Sequence, residues 1–277
     1  MSGSGPRLTL ARQGLAAASL EGIVAAGRYA PTRAMRVGAP VAPVFAAPDP
    51  TSERIDEMIY GERFDVLETQ GGFAWGQAAR DGCVGFVPVD ALAPPGPAAT
   101  HRVAALHADA LAEPSINAAA QGPFSLNALV AVEAEAGDFS RAADGAWFRT
   151  ADLAPIGVFE RDPAAVAERF LGAPYLLGGR TSAGVDASGL VQQALYACGR
   201  ACPRGADQQL AAGREIARAE AGGGDLVGWR GHVGLLVDGA RLIHASAHNM
   251  AVVIEGLDDA IARNEAAGRG APVFQRP

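Results

Sequence analysis

Two histidines near the C-terminal end of the chain are the first residues that suggest chemistry. His232 opens the run HVGLLV, and His244 lies in RLIHASA, two strand-like segments joined by a turn. If residues 238–240 form a three-residue loop, His244 lies opposite Gly234 and diagonal to His232 on one face of the hairpin. A two-residue turn would place the rings on opposite faces. On one face the two rings lie within reach of each other; the alternative is that they are two unrelated surface or core histidines.

The segments around these histidines resemble one protein family. The runs APYLLGGRTSAGVDASGLVQQAL and GGGDLVGWRGHVGLLVDGARLIHA closely resemble the NlpC-type family of bacterial cell-wall cysteine peptidases, from about Phe159 to the C-terminus. With two SH3-like domains ahead, the chain is similar to the cytosolic subgroup that cuts γ-D-glutamyl-L-diamino acid bonds in released murein peptides. The resemblance implies a papain-like α+β catalytic domain and, as partner, a short murein peptide with a free N-terminal L-Ala. We expect no cofactor and no metal.

The family's nucleophile position is not occupied by cysteine. The family motif Asp-Cys-Ser-Gly, at the start of a helix, reads Asp186-Ala187-Ser188-Gly189 here. A helix N-terminus favours a thiolate through its unpaired N–H groups and its dipole, but Ala187 offers only a methyl group. His232 matches the general base and His244 the residue that orients it, while Ser188 would point roughly 100° away around the helix. The chain as written is therefore predicted to be inactive.

The resemblance also assigns substrate-binding positions, and several depart from the family pattern. Matching positions are Asp186, Ser188 and Tyr175. Leu177 stands where the family has Trp, Cys83 where SH3-like domains have Tyr, and Ala206 where the subgroup often has Ser. These changes favour smaller or less polar side chains, and one engineered cysteine-to-alanine change does not explain them. Engineered removal and natural loss of the nucleophile both remain open.

An acidic residue of the first SH3-like domain binds the free α-amine of the peptide in the subgroup. Glu57 and Glu62, which flank Ile59-Tyr60-Gly61, are the candidates here, with Tyr60 beside them. A buried ammonium needs such a partner because an unpaired charge in a closed pocket is costly. The alternative is that both glutamates are ordinary solvated residues on a barrel loop.

Residues typical of turns and loops divide the chain into the elements that must position these residues. An Ala-rich run predicts an N-terminal helical segment over 1–30. Pro-rich junctions, GG and DG turns and short alternating runs predict SH3-like β-barrels over 31–94 and 95–155, as two copies of one module. From residue 156 onwards, a helix capped by Asp162 with Pro163 at its first position, the helix SGLVQQALYAC, and the strands DLVGW, HVGLLV and RLIHASA predict the peptidase domain. The predicted fold class is thus multidomain: two small SH3-like barrels followed by an α+β papain-like domain.

Composition excludes several other functions. Thirty acidic residues against 23 basic ones give a net charge of −7, the wrong sign for nucleic-acid binding. No apolar run reaches the ~18 residues that span a bilayer, so we expect no membrane partner. The odd cysteine count fits a reducing compartment, so we predict a cytoplasmic location, with a cleaved signal at the N-terminus as the alternative. Cys198 and Cys202 lack the further ligands of a metal site.

Three hypotheses follow from these observations. The first is a γ-D-glutamyl-L-diamino acid endopeptidase of murein recycling whose nucleophile is replaced by Ala187. The second is a natural pseudopeptidase that binds a muropeptide or a protein without turnover. The third, scaffolding through the SH3-like domains, has no positive indication in the sequence. Restoring a cysteine at position 187 distinguishes the first from the second. The oligomeric state is not indicated.

Overall fold

The computed structural model describes residues 8–12 and 14–277, which form two compact units. The first unit ends at Ile156 and is built from strands and short 3-10 turns. The second begins at Gly157 and contains the four α-helices of the described residues. Each unit encloses hydrophobic core of its own. The molecule is therefore mostly β, with its helices confined to the C-terminal unit.

The helix predicted over residues 1–30 is wrong wherever this segment is described. The segment forms β1 (Ala11–Arg12), β2 (Leu15–Ala17) and β3 (Arg28–Ala30), with a single 3-10 turn between β2 and β3. Residues 1–7 and 13 lie outside the described residues. Leu15 and Ala17 pack with Trp75 and Phe86 of the following domain. Burial of alternate apolar residues in an extended segment outweighs the helix propensity of its alanines.

The first β module, residues 33–93, is one seven-stranded sheet. Its strands are β4 (Arg33–Val37), β5 (Val41–Phe45), β6 (Arg54–Ile59), β7 (Arg63–Gln70), β8 (Phe73–Ala78), β9 (Val84–Pro88) and β10 (Leu92–Ala93). They pair in the order β10-β4-β7-β8-β9-β5-β6. Gly71 and Gly72, with φ of +57° and +83°, form the two-residue turn between β7 and β8 predicted from the GG pair.

The second β module, residues 101–155, has the same pairing scheme. Its strands are β11 (His101–Val103), β12 (His107–Leu111), β13 (Ala120–Ser125), β14 (Leu129–Val130), β15 (Val132–Ala136), β16 (Phe139–Ala142), β17 (Trp147–Arg149) and β18 (Leu153–Pro155). Its two sheets pair in the orders β14-β11-β18 and β13-β12-β17-β16-β15. If β14 and β15 are taken as one interrupted strand, the scheme matches that of the first module strand for strand, which supports the prediction of two copies.

The two β modules pack directly on each other within the first unit. Ile59 and Tyr60, at the end of β6, belong to the core of the second module together with Phe124 and Phe148. Gly61 follows with φ +81°, and a Cβ there would lie 2.2 Å from the Leu129 carbonyl oxygen. Only glycine permits both this backbone conformation and this close approach.

The C-terminal unit places helices on an antiparallel sheet. Its elements are α1 (Pro163–Glu168), β19 (Arg180–Thr181), β20 (Gly184–Val185), α2 (Ala187–Ala197), α3 (Ala206–Ala212), β21 (Arg214–Glu215), β22 (Leu226–Trp229), β23 (His232–Leu236), β24 (Arg241–Ser246), β25 (Ala251–Gly256), α4 (Leu257–Ala266) and β26 (Val273–Arg276). The main sheet has the order β21-β26-β22-β23-β24-β25, and α1 and α2 pack against β23 and β24.

The predicted start of α1 is confirmed, while its last residue is Glu168. Asp162 caps α1 by accepting a hydrogen bond from the Ala164 N–H at 2.9 Å, and Pro163 is its first residue. Gly199, with φ +74°, follows the end of α2. Among the described residues, no helix is both long and apolar enough to cross a bilayer.

Candidate active site

The position that the family pattern assigns to a nucleophile is the first residue of α2. Asp186 is the N-cap, and its Oδ1 accepts a hydrogen bond from the Gly189 N–H at 2.7 Å. Ala187 follows and is almost entirely buried. The backbone N–H groups of this first turn have no partner further along the helix, so the site favours negative charge. The site is thus built to stabilise a thiolate, but the side chain present is a methyl group.

The carboxylate of Asp186 is fully engaged within the protein. Arg204 donates to both of its oxygens, at 3.0 and 2.7 Å, and the Gly178 N–H donates at 2.8 Å. Burial alone would raise the pKa of Asp186, but the charge and hydrogen bonds of Arg204 and the backbone donors hold it below its ordinary value. Asp186 is therefore ionised at neutral pH and fixes the start of α2.

Ser188 belongs to the same network. Its Oγ donates to Asp186 Oδ1 at 3.1 Å and accepts from Arg204 at 2.7 Å, while its carbonyl accepts from Gln209 at 2.9 Å. A hydroxyl held in this way, with no histidine bonded to it, is not activated for attack. Neither Arg204 nor Gln209 was predicted from the sequence. The need of a buried carboxylate for a cation was the signal that could have pointed from Asp186 to Arg204.

The two histidines lie on one face of adjacent strands, as the three-residue loop predicts. Leu235 lies opposite Ile243, and the Val237 N–H donates to the Arg241 carbonyl, which is the predicted register. His232 Nε2 lies 2.7 Å from His244 Nδ1, a hydrogen bond between the two rings. The Trp229 ring stacks on His232 with 6.0 Å between centroids. His232 is therefore held by the hydrogen bond to His244 on one side and by the Trp229 ring on the other.

A carboxylate and a guanidinium extend this pair into a line of four groups. His244 Nε2 lies 2.7 Å from Glu255 Oε1, close enough for an ion pair, although its N–H does not point along that direction. Arg263 donates to both oxygens of Glu255. We call His232, His244, Glu255 and Arg263 the histidine line. Glu255 and Arg263 were not predicted from the sequence, because β25 and α4 contain no recognisable motif.

Electrostatics keep the first ring of the line neutral. Burial, then His244 and the charges of Arg269 and Arg263, lower the pKa of His232 to about 3. Burial would raise the pKa of Glu255, but the close contact with His244 and the hydrogen bonds from Arg263 lower it to about 2. His232 Nδ1 makes no hydrogen bond to any residue that the structure describes. At pH 7 the His232 ring is therefore neutral, and in the tautomer whose Nε2 donates to His244 Nδ1 its free Nδ1 is a proton acceptor.

The predicted pocket residues of the C-terminal unit lie around the start of α2. Tyr175 is half-buried, and burial followed by the charge of Asp186 raises its pKa. Leu177 is 54% exposed, so the position where the family has Trp forms no packed wall. Ala206 is the first residue of α3 and is half-buried. Their substrate contacts remain predictions.

Cys83 does not fit its predicted role. It is fully buried in the core of the first β module with Val37, Phe64 and Val87. Its N–H donates to Asp81 at 2.9 Å in the turn that precedes β9. A thiol is small and apolar enough to fill this core, so its side chain points away from solvent and does not line a pocket for substrate.

The acidic candidates of the first β module are already paired. Arg54 donates to Glu57, and Arg80 donates to Glu62 at 2.9 Å. Glu62 also accepts from the Ile59 N–H at 3.1 Å. Tyr60 donates to Asp144, and burial together with this carboxylate raises the pKa of Tyr60 to about 12. Neither glutamate is a solvated loop residue, and their binding of a peptide amine remains a prediction.

A cavity of about 290 Å³ opens beside the histidine line. Its walls come from β23, β24, the loop after β24, α4 and the turn after α4. We call it the α4 pocket; its polar lining includes His232, His244, His248, Arg263, Asn264 and Arg269. The start of the histidine line is therefore reachable from a polar space.

Two stretches of the chain match known protein families. Residues 172–268 match the NlpC/P60 family, and residues 44–92 match the bacterial dipeptidyl-peptidase SH3 domain. The crystal structure of an NlpC/P60 family protein from Bacillus cereus superposes with a TM-score of 0.73 at 18% identity, over 81% of this chain and 94% of that one. At that identity the superposition shows a shared fold.

The curated relatives align with 89 to 104 residues of this chain. The γ-D-glutamyl-L-lysine dipeptidyl-peptidase of Bacillus subtilis is 34% identical over 35% of this chain and 35% of its own. The γ-DL-glutamyl hydrolase of the same organism is 39% identical over 29% of this chain and 22% of its own. A probable endopeptidase NlpC homolog of Haemophilus influenzae is 34% identical over 35% and 54%. The aligned part of the chain thus spans about a fifth to a half of these relatives.

Fold, site and comparisons define a class of protein. The chain is a multidomain, mostly β protein with an SH3-type domain and an α+β domain that matches the NlpC/P60 family over residues 172–268. Within that class, it is related to γ-D-glutamyl-L-lysine dipeptidyl-peptidase. The matched region contains Ala187 and both histidines of the line.

Proposed function

We propose that this chain is a murein peptide hydrolase of the γ-D-glutamyl type whose nucleophile is replaced by Ala187, so that it binds a short peptide but does not cut it. The observation that carries the proposal is the histidine line, which ends in a buried, neutral His232 with a free ring nitrogen. His232 lies on β23, the strand against which α2 packs. A bonded base close to a nucleophile at a helix start is the arrangement that nucleophilic catalysis by cysteine requires. The substrate is a short peptide with a free N-terminal L-Ala and a γ-D-Glu-L-diamino acid bond.

The reaction of a restored cysteine follows from this geometry. The thiol transfers its proton to His232, and the thiolate attacks the γ-glutamyl carbonyl. As the C–N bond breaks, His232 returns the proton to the leaving amine. Water then hydrolyses the thioester and regenerates the thiol. A thiolate next to His232 would raise the pKa of the ring, because opposite charges favour the imidazolium. In the chain as written, the attacking atom is absent.

The decisive experiment compares the chain as written with Ala187→Cys. Both are incubated with L-Ala-γ-D-Glu-meso-diaminopimelate, and the free diamino acid is followed by mass spectrometry. We expect release only by the cysteine variant. Ala187→Cys combined with His232→Gln is the matched control and should lose at least about a hundredfold in rate.

Failure of restoration has a separate meaning. If Ala187→Cys folds and binds the peptide with the parent's affinity but releases nothing, the chain is a pseudopeptidase. Binding is measured by isothermal titration calorimetry with the same peptide. The 54% exposure of Leu177 is the observation that favours this second candidate, because an aromatic wall is missing from the predicted pocket. If neither protein binds the peptide, the substrate class is wrong.

We also propose that the chain acts in the cytoplasm, on peptides already released from the wall. Cys83, Cys198 and Cys202 form no disulfide among the described residues, which suits a reducing compartment. Immunodetection in cytoplasmic and extracellular fractions tests this; recovery outside the cell would contradict it.

A further inference from the structure

The α4 pocket carries an excess of positive charge that the histidine line does not use. Arg263 contributes both of its terminal nitrogens to Glu255. Arg269 is half-buried, and its guanidinium makes no hydrogen bond or ion pair with any residue that the structure describes. Its backbone N–H donates to the Asn264 carbonyl at 3.0 Å, which holds the turn after α4 against the helix. The pocket therefore presents one cation, the Arg269 guanidinium, that no carboxylate of the described residues neutralises.

The positive charge of Arg269 acts on groups of the histidine line and on groups near the start of α2. The charge of Arg269 acts on His232 and also on Tyr175, which in turn feels Asp186 at the start of α2. Glu255, the carboxylate of the histidine line, is bonded to Arg263 and His244 and does not neutralise Arg269. An anion that enters the α4 pocket would thus find Arg269 available.

The chemistry of peptide cleavage places an anion in this pocket. The leaving amine must lie next to His232, which protonates it. In an amino acid, the carboxylate is attached to the same carbon as the amine, so its oxygens lie within about 4 Å of that nitrogen. A leaving amino acid with a free α-carboxylate therefore carries its charge into the space beside His232. The lining of that space includes His232 and Arg269.

We propose that the α4 pocket binds the free α-carboxylate of the amino acid on the leaving side of the scissile bond, with Arg269 as the residue that pairs with it. The inference rests on the proposed function and adds a specificity to it. A peptide that ends at the diamino acid has this carboxylate free. A peptide extended beyond the diamino acid has an amide there and cannot form the ion pair.

Binding to the chain as written tests the proposal without turnover. Isothermal titration calorimetry is performed with L-Ala-γ-D-Glu-L-Lys and with its C-terminal amide. The parent should bind the acid about tenfold more tightly than the amide, because one charge-assisted ion pair is lost in the amide. Arg269→Gln should reduce affinity for the acid by about tenfold and leave affinity for the amide unchanged. Arg269→Lys should restore part of the difference.

The control variant is Arg241→Gln, since Arg241 is an exposed arginine of the β23–β24 hairpin that pairs with Asp238. It should leave both affinities unchanged. If the parent binds acid and amide equally well, the carboxylate site is refuted while the proposed function stands. If the parent binds neither peptide, the proposed function and this inference fail together. An equal loss of both affinities in Arg269→Gln, with an unchanged melting temperature, would also refute the assignment.

Discussion

The two sides of the candidate active site differ in how far the protein satisfies its own polar groups. At the start of α2, Asp186 accepts from Gly178, Gly189 and Arg204, so this network is explained by structure alone. On the histidine line, His232 is equally buried but keeps one ring nitrogen without a partner among the described residues. The His232 ring lines the α4 pocket, so this nitrogen is open to a bound molecule rather than used by the fold.

The comparison separates stability from function. Removing Asp186 alone should strongly destabilise the fold, because Arg204 is then buried without its carboxylate, whereas the second ring nitrogen of His232 adds no bond that holds the fold together. The hydrogen bond to His244 and the stacking on Trp229 orient the ring, but neither of them uses this second nitrogen. The histidine line is therefore the better evidence for a reactive site, even though the nucleophile belongs to the other side.

The largest expected effect comes from removing the cation that pairs with Asp186 at the start of α2. Arg204→Met leaves the carboxylate of Asp186 buried without its cation, which should destabilise the fold by about 3–5 kcal/mol. Urea denaturation measures the change. Arg241→Met, which removes an exposed ion pair, is the control and should cost less than about 1 kcal/mol. Adding Asp186→Leu to Arg204→Met should recover much of the loss. A loss below about 1 kcal/mol for Arg204→Met would contradict the structural role.

The next effect concerns the pH dependence of stability on the histidine side. The folded pKa of His232, about 3, lies below the value of about 6.5 in an unfolded chain, so only the unfolded state gains a proton between these values. Stability is fully present above pH 6.5 and is lost as the pH falls. From pH 7 to pH 5, the loss due to His232 should be on the order of 2 kcal/mol.

Urea unfolding of the parent and of His232→Gln at both pH values isolates this contribution, since the other histidines are common to both proteins. The parent should lose more stability than the variant on acidification. In Ala187→Cys the difference should shrink, because a thiolate stabilises the imidazolium. Equal pH dependence of the parent and His232→Gln would show that the ring is not held neutral by its surroundings.

A smaller effect sharpens the role of the far end of the histidine line. In the Ala187→Cys background, Glu255→Gln removes the charge beside His244 and should lower kcat by about tenfold, with KM within about twofold of its starting value. Glu265→Gln, on the exposed side of α4, is the matched control and should leave both constants unchanged. A parallel change in KM would mean that Glu255 shapes the pocket rather than positioning the base.

The parts of this site that are local in the sequence could be predicted, and the parts that depend on distant elements could not. The register of the histidine hairpin follows from its own loop, and the cap of α1 from Asp162 and Pro163. Glu255 and Arg263 lie on later elements and meet His244 only when the sheet closes. Glu255 and Arg263 could not be predicted because they lie on other elements than His244, and not because their chemistry is unusual.

The two errors of prediction have one cause. The N-terminal alanines predicted a helix, and Cys83 was assigned to a pocket because of its position in a motif. In both cases burial decided the outcome: Leu15 packs against the first β module, and Cys83 fills its core. Local propensity and motif position are weak guides where an apolar side chain can be buried by a neighbouring sheet.

The smallest expected effect refines the α2 side again. Leu177→Trp places an aromatic ring at an exposed position next to Gly178, whose N–H donates to Asp186. A ring there would add contact area for a bound peptide and should raise affinity for L-Ala-γ-D-Glu-L-Lys by about threefold to tenfold. Leu171→Trp, at a comparably exposed position of the same unit, controls for a nonspecific gain. Calorimetry that gives equal affinities for the parent and Leu177→Trp would mean that the peptide does not pass over this position, and that the α2 side contributes its helix start alone.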